Sequence, residues 1–140
     1  MTDRVLQAKA EALQRCVARI RATCPVSAEA LARDIDAQDI VSVNLIRAVQ
    51  LAVDMASHAT VAEGVPPPTT MGESFDRLAE AGRITSDLAR RLRGAVGFRT
   101  IAVHAYDRID WSVVHALATT RLGDLEALAR ALLAPPATRA

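Results

Sequence analysis

Three side chains in the C-terminal half carry the clearest chemistry in this chain. Arg99 and His104 stand five residues apart and Tyr106 lies two further on, within Gly97-Phe98-Arg99-Thr100-Ile101-Ala102-Val103-His104-Ala105-Tyr106-Asp107. An imidazole with an unperturbed pKa of about 6.5 takes and returns protons near neutrality. A guanidinium holds phosphate oxygens as charge builds on them. These groups suffice, with no metal or cofactor, to cleave an RNA backbone through its own 2′-hydroxyl. On a helix, five residues advance about 500°, which leaves Arg99 and His104 about 140° apart around the axis. One straight helix would not aim both at the same small group. A bend at the Gly94/Gly97 end would bring them together, and so would two copies of the motif meeting across a dimer interface.

Local charge points the same way. From Arg83 to Arg99 there are five arginines (83, 90, 91, 93 and 99) against one acid, Asp87, a local net of +4 in a chain whose formal charge is only +1. Such a patch beside a candidate base would bind backbone phosphate with little sequence preference and strong salt dependence, Arg90, Arg91 and Arg93 forming the track. The plainer reading is a solvated helix face.

Composition limits what surrounds the motif. A chain of 140 residues suits one domain, spanning residues 1–140, and can bury roughly 68% of its unfolded surface in one core. Hydrophobic residues make up 51% but aromatic ones 3%, so the core must be built from Leu, Val, Ile and Ala. Two Phe, one Trp and one Tyr cannot make the stacking platform of a typical single-strand binder. No apolar run approaches the ~20 residues of a membrane span, and Met1-Thr2-Asp3-Arg4 lacks the apolar stretch of a signal peptide. The expected location is cytoplasmic. Cys16 and Cys24 fall on one helix, separated by about 12 Å of rise, too far for a disulfide. No second Cys/His pair completes a ligand set, so no metal is expected.

The elements that must position the motif read as helices throughout. Leu6, Ala10, Leu13, Val17, Ile20 and Cys24 form a seam of period 3.5 over about 2–24, closed by Pro25. Ser27 can cap the next helical stretch, in which Leu31, Ile35, Leu45, Val49, Ala52 and Ala56 keep the same rhythm. One helix over 28–63 would measure about 54 Å, too long for a domain of this size, so a break is expected near Asp36–Asp39. Gly64 ends that helix and Pro66-Pro67-Pro68 make a stiff connector. Phe75 and Leu78 anchor a short helix stopped at Gly82. Thr85 caps another, with Leu88, Leu92 and Val96 inward and Arg90, Arg91 and Arg93 outward. Gly94 and Gly97 weaken that helix, so the motif is expected to open a new segment or a bend. The last helix starts after Asp110 and runs to about Leu133, before Pro135-Pro136 and a disordered tail from about 135. Strand alternation, internal repeats and a glycine-rich phosphate loop are absent. The fold class is therefore all-α, an up-and-down bundle of four to five helices.

The motif and its setting, Val96-Gly97-Phe98-Arg99 through Val103-His104-Ala105-Tyr106-Asp107, resemble the HepT-like toxin family of the HEPN superfamily of helical ribonucleases. Val43-Asn44-Leu45-Ile46-Arg47-Ala48-Val49-Gln50, continuing to Val53-Asp54-Met55-Ala56, resembles that family's long helix. Glu73 to Ile84 resembles its connecting hairpin, and Leu122-Gly123-Asp124-Leu125 its final helix. The resemblance covers about 40–133, and the first helix more loosely. It implies an endoribonuclease toxin whose Arg and His work at a composite site formed by dimerisation. It also implies a partner, an MNT-type nucleotidyltransferase antitoxin, which silences the toxin by transferring AMP to the tyrosine. On this chain Arg99 would stabilise the phosphorane-like transition state, His104 would act as general base or acid, and Tyr106 would accept AMP. AMP on a phenol so close to the base adds bulk and negative charge where the RNA phosphate must sit. The family commonly has Asn or another polar residue directly after the Arg. Thr100 stands there in this chain, and its hydroxyl lacks the paired geometry of an amide.

Asn44, Arg47, Asp54 and His58 recur along the long helix as a polar stripe. Either this is a solvated face, or Arg47 and Asp54 lie near the cleft with Asp54 orienting His104 or Arg99. His58 and His115 carry no motif around them and read as surface or boundary residues, and Trp111 reads as a packing anchor. A second reading of the whole chain is a non-catalytic HEPN module that partners a nucleotidyltransferase and binds rather than cuts. A plain helical dimerisation module is the third.

Overall fold

A computed structural model describes residues 3–66 and 68–134. Over these residues the chain is helical, with no strand. The element order is α1 (Arg4–Thr23), α2 (Ala28–Arg33), α3 (Ile35–Ala62), α4 (Glu73–Glu80), α5 (Ser86–His104), a single 3₁₀ turn (Tyr106–Arg108), α6 (Trp111–Thr120) and α7 (Leu122–Leu133). The expected tail from about 135 and the middle residue of the proline connector, Pro67, lie outside the described residues.

Caps and apolar seams set these boundaries. Asp3 starts α1 by accepting hydrogen bonds from the backbone N–H groups of Val5 and Leu6, and Leu6, Leu13, Val17 and Ile20 are buried along the expected seam. Ser27 caps α2. The break before the long helix falls at Asp34, two residues earlier than the Asp36–Asp39 window. Asp34 is extended and accepts from the Ala37 N–H at 3.0 Å, so one residue both ends α2 and starts α3. Gln38 then donates to the Leu31 carbonyl at 2.8 Å, satisfying an acceptor that the interruption orphaned. Starting α3 at Ile35 puts Ala37, Val41, Leu45, Ala48, Val49 and Ala52 on its buried face.

Helix α3 is the centre of the bundle. Its 28 residues extend about 42 Å and touch all six other helices. It runs antiparallel to α1, as the cross-links between Asp3 and His58 (2.7 Å) and between Lys9 and Asp54 (3.6 Å) require. Among the described residues it is also the one helix long and apolar enough to cross a membrane, with a mean hydropathy of 1.3 over its best 18 residues. No such run stands out in the sequence, because the polar stripe interrupts it. Half of that window is buried, against neighbouring helices.

Gly64 and Gly82, at φ of 71° and 75°, sit in the left-handed region that favours glycine and end α3 and the α4 turn. Thr85 caps α5 through a 3.1 Å bond to the Leu88 N–H. The helix expected after Asp110 comes as two. Thr119 and Thr120 turn their hydroxyls back onto the carbonyls of His115 and Ala116, a pattern that bends helices, and the chain breaks at Arg121 before resuming as α7. With α2–α3 and α6–α7 each counted as one broken rod, the bundle has five rods. One continuous cluster of buried Leu, Val, Ile, Ala and Phe side chains runs between them.

Candidate active site

The motif occupies the last turns of α5 and the 3₁₀ turn after it. The expected new segment is not there: α5 continues through Gly94 and Gly97 to His104 as one helix. Buried Leu92 on one side and Phe98 and Ala102 on the other hold the helix to the core, and that packing outweighs the propensity cost of about 1 kcal/mol for each glycine. Arg99 and His104 therefore lie on one continuous helix, about 140° apart around the axis and about 7.5 Å apart along it. Within a single chain they face different directions.

Arg99 is half-buried, and its Nε is shielded from solvent with no hydrogen-bond acceptor. Among the described residues no carboxylate pairs with it. His104, the final residue of α5, is exposed, and its ring has no hydrogen-bond partner among the described residues. Thr100, exposed beside Arg99, donates its hydroxyl to the Val96 carbonyl at 3.1 Å, so its proton is turned into its own helix and only its lone pairs face outward.

The arginine run upstream differs from the expected phosphate track. Arg93 pairs with Asp76, Arg91 Nε with Asp124 at 3.0 Å, and Arg90 with Asp87. Arg83 binds Glu63 at 2.6 Å and the carbonyls of Ala131 and Leu132, tying α5's approach to the end of α7. Acids from α4, α7 and the end of α3 thus neutralise a run that is +4 in isolation. Among the described residues, Arg99 alone of the five is without an ion pair.

Tyr106 is held from a distance that sequence does not display. Its hydroxyl donates to Asp39 Oδ1, on the first turns of α3, at 3.1 Å. Its ring meets Trp111 edge-to-face with centroids 6.1 Å apart, and Trp111 packs against the core. Ser42 lies close enough to act on the phenol, although its buried hydroxyl has no partner in hydrogen-bond geometry. Burial, and then the Asp39 carboxylate, push the phenol above its ordinary pKa of 10.0. Tyr106 is therefore neutral at physiological pH, with its proton pointed at a carboxylate. The residue as a whole remains 45% exposed. Asp39 was legible in the sequence only as a residue near a helix break; nothing local tied it to a phenol 67 residues away.

The polar stripe of α3 faces α1. Asp54 accepts from Gln50 at 2.9 Å and pairs with Lys9 at 3.6 Å, and His58 bonds Asp3. In this chain Asp54 thus braces α1 against α3 instead of orienting His104 or Arg99. It also lies about 22 Å along α3 from Asp39, the carboxylate that does reach the motif. Asn44 is buried and donates to the Ile40 carbonyl. Arg47 is exposed and lines an open groove between α1 and α3 with Arg15, Arg19 and Asp39. His115 bonds the Pro25 carbonyl at 2.9 Å, a packing role.

A helical bundle that, among the described residues, leaves one arginine and one histidine uncommitted at the end of a helix, followed by a tyrosine tied to a second helix, belongs to the class of small helical ribonucleases. The model of the HepT-like ribonuclease family matches residues 13–132, and the chain belongs to that family. It is 30% identical over 126 residues to the mRNA nuclease HepT of Shewanella oneidensis, covering 90% of this chain and 93% of that one. Two solved structures share the fold. A toxin–antitoxin with AMP-PNP superposes with a TM-score of 0.86 at 27% identity, covering 93% of this chain and 98% of that one. A tri-AMPylated Shewanella oneidensis HEPN toxin in complex with MNT antitoxin gives 0.85 at 28% identity, covering 92% and 96%.

Proposed function

We propose that this protein is the endoribonuclease toxin of a toxin–antitoxin pair, acting in the cytoplasm as a homodimer and silenced when an MNT-type nucleotidyltransferase antitoxin transfers AMP to Tyr106. The observation that carries this reading is the contrast between the committed and the uncommitted side chains. The other arginines between residues 83 and 99 are held by acids of the fold, whereas Arg99 and His104 have no partner among the described residues.

In the reaction, His104 takes the proton of an RNA 2′-hydroxyl as its oxygen attacks the adjacent phosphorus. Arg99 holds the non-bridging oxygens as negative charge grows on them. The bond from phosphorus to the 5′-oxygen breaks, and that oxygen leaves with a proton, giving a 2′,3′-cyclic phosphate and a 5′-hydroxyl. A base and an acid are both needed, and two copies of the motif around one cleft supply two histidines. Support for a two-copy cleft comes from the unbroken α5, on which one chain cannot turn Arg99 and His104 to the same phosphate. A groove of about 510 Å³ between α5 and α6, lined by Gly94, Gly97, Phe98, Ile101, Ile109, Val113 and Leu117 together with Arg91, Arg108, Asp110 and Arg121, offers a mixed apolar and charged surface on that side for the second copy.

Silencing depends on Tyr106. A neutral phenol hydrogen-bonded to Asp39 is a nucleophile with its proton acceptor in place. Once its oxygen attacks the α-phosphorus of ATP and pyrophosphate departs, the anionic AMP ester stands two residues from His104 and repels the RNA phosphate. Expressing the protein without a partner tests the enzyme reading. Wild type is expected to cleave RNA and arrest growth, and His104→Ala to do neither; equal harmlessness of the two would leave the non-catalytic partner module as the correct reading.

A further inference from the structure

Three arginines without an ion pair among the described residues come together away from the α5 run. An open groove of about 720 Å³ runs between α1 and α3, lined by Arg15 and Arg19 on α1 and by Asp39, Asn44 and Arg47 on α3. Among the described residues none of its three arginines has an ion pair, although Lys9 and Arg21 on the same α1 helix are both paired, with Asp54 and Glu126. Arg15 and Arg47 line the groove from the two helices, with Cys16 in its wall. Among the described residues the only acid lining the groove is Asp39, so three cations and one anion give it a local net of +2.

Position makes the groove more than a charged patch. Asp39, which lines the groove, is the residue that holds the Tyr106 hydroxyl, so the groove and the phenol meet at one carboxylate. Arg47 stands eight residues further along α3, about 12 Å away, and Arg15 and Arg19 face that same stretch from α1. The floor between them is apolar: Ala12, Ile40, Val43 and Leu51. Arginines on the walls of a groove with no aromatic ring in it bind a backbone and leave bases unread.

We infer that the α1–α3 groove is the binding track for the RNA strand, with Arg15, Arg19 and Arg47 holding backbone phosphates on the way to the cleavage site at Arg99 and His104. This replaces the α5 track formed by Arg90, Arg91 and Arg93, and it rests on the ribonuclease reading above. It adds a consequence for silencing: AMP esterified to Tyr106 stands at the mouth of the groove and closes off the strand's path as well as the cleavage site.

The test measures the affinity for a single-stranded RNA oligonucleotide across a salt series, in a His104→Ala background so that the RNA stays intact. Adding Arg15→Ala, Arg19→Ala and Arg47→Ala should lower the slope of log K against log salt by about 2, the value for three phosphate contacts on a single strand. The charge-matched set Arg4→Ala, Arg33→Ala and Arg130→Ala, all exposed and away from the groove, should leave the slope unchanged, and Arg→Lys at the three groove positions should restore it. Equal slopes in the groove and control sets overturn the inference, as does an unchanged slope accompanied by loss of the antitoxin in co-purification, which makes the groove a protein interface. The ribonuclease reading fails by a different result: wild type that neither binds nor cuts RNA.

Discussion

The Tyr106 hydroxyl donates a hydrogen bond to Asp39 Oδ1 at 3.1 Å, joining the turn after α5 to the first turns of α3 across 67 residues of sequence. The bond fixes where the phenol oxygen points, and it raises the phenol's pKa together with burial. Any chemistry at that oxygen therefore depends on a residue outside the motif.

Substitution of Asp39 should expose that dependence. Asp39→Asn retains a hydrogen-bond acceptor but loses the charge that draws the proton, and Asp39→Ala loses both. Incubation with the cognate nucleotidyltransferase and ATP, then intact-mass spectrometry, should show slower adenylylation of Asp39→Asn, by about 100-fold or more for a lost base, and slower still for Asp39→Ala. Tyr106→Phe should take up no adenylyl mass. Uptake by Tyr106→Phe at the wild-type rate would place the acceptor elsewhere.

The two-copy cleft can be tested by complementation. Arg99→Ala and His104→Ala should each lower RNA cleavage by at least about 100-fold, and Arg99→Lys should rescue poorly because an ammonium lacks the planar fork. Mixing the two inactive proteins under conditions that exchange subunits should restore part of the activity, since the mixed dimer brings one intact arginine and one intact histidine to the same cleft. If each chain cleaved with its own pair, the mixture would stay inactive.

Stability should fall in acid. The Glu126 carboxylate is held below its ordinary value of 4.5 by Arg21, whose guanidinium bonds both its oxygens at 2.6 and 3.1 Å and links α1 to α7. Asp3, bonded to His58 and capping α1, is likewise held below 3.8. A depressed carboxylate contributes stability that is present above its unfolded pKa and is lost as pH falls through the folded one. Thermal unfolding monitored by circular dichroism should show a midpoint that drops below about pH 4.5, and Glu126→Gln should flatten that acid limb while lowering the midpoint at neutral pH.

The glycines of α5 separate folding from self-association. A methyl group at Gly94 or Gly97 meets no atom within 4 Å in the chain. Alanine at either position should therefore stabilise the isolated fold by about 0.5–1 kcal/mol, through lower backbone entropy in the unfolded state. Both glycines also line the α5–α6 groove, so the gain should be accompanied by weaker self-association in sedimentation. Stabilisation with unchanged self-association would move the dimer contact off this face.

Local signals determined a large part of this protein. Period-3.5 seams, the caps at Ser27 and Thr85, the stops at Gly64 and Gly82 and the scarcity of aromatic residues set an all-helical bundle, because each acts through neighbours within a turn or two. The spacing of Arg99, His104 and Tyr106 was enough to nominate the chemistry. What the sequence could not settle were choices among locally equivalent options. Asp34, Asp36 and Asp39 can all cap a helix; burial of the α3 face selects Asp34, which frees Asp39 to hold Tyr106. Gly94 and Gly97 weaken a helix by propensity, yet Leu92 and Phe98 packed in the core keep α5 continuous. The arginine run looked free because a linear count of charge cannot see Asp76, Asp124 and Glu63 arriving from other helices. Arg15, Arg19 and Arg47, scattered through the sequence and without mutual periodicity, meet only because α1 and α3 pack antiparallel. Secondary structure is set by interactions a few residues long. Which charges are neutralised and which remain to meet a substrate is decided only when the helices pack.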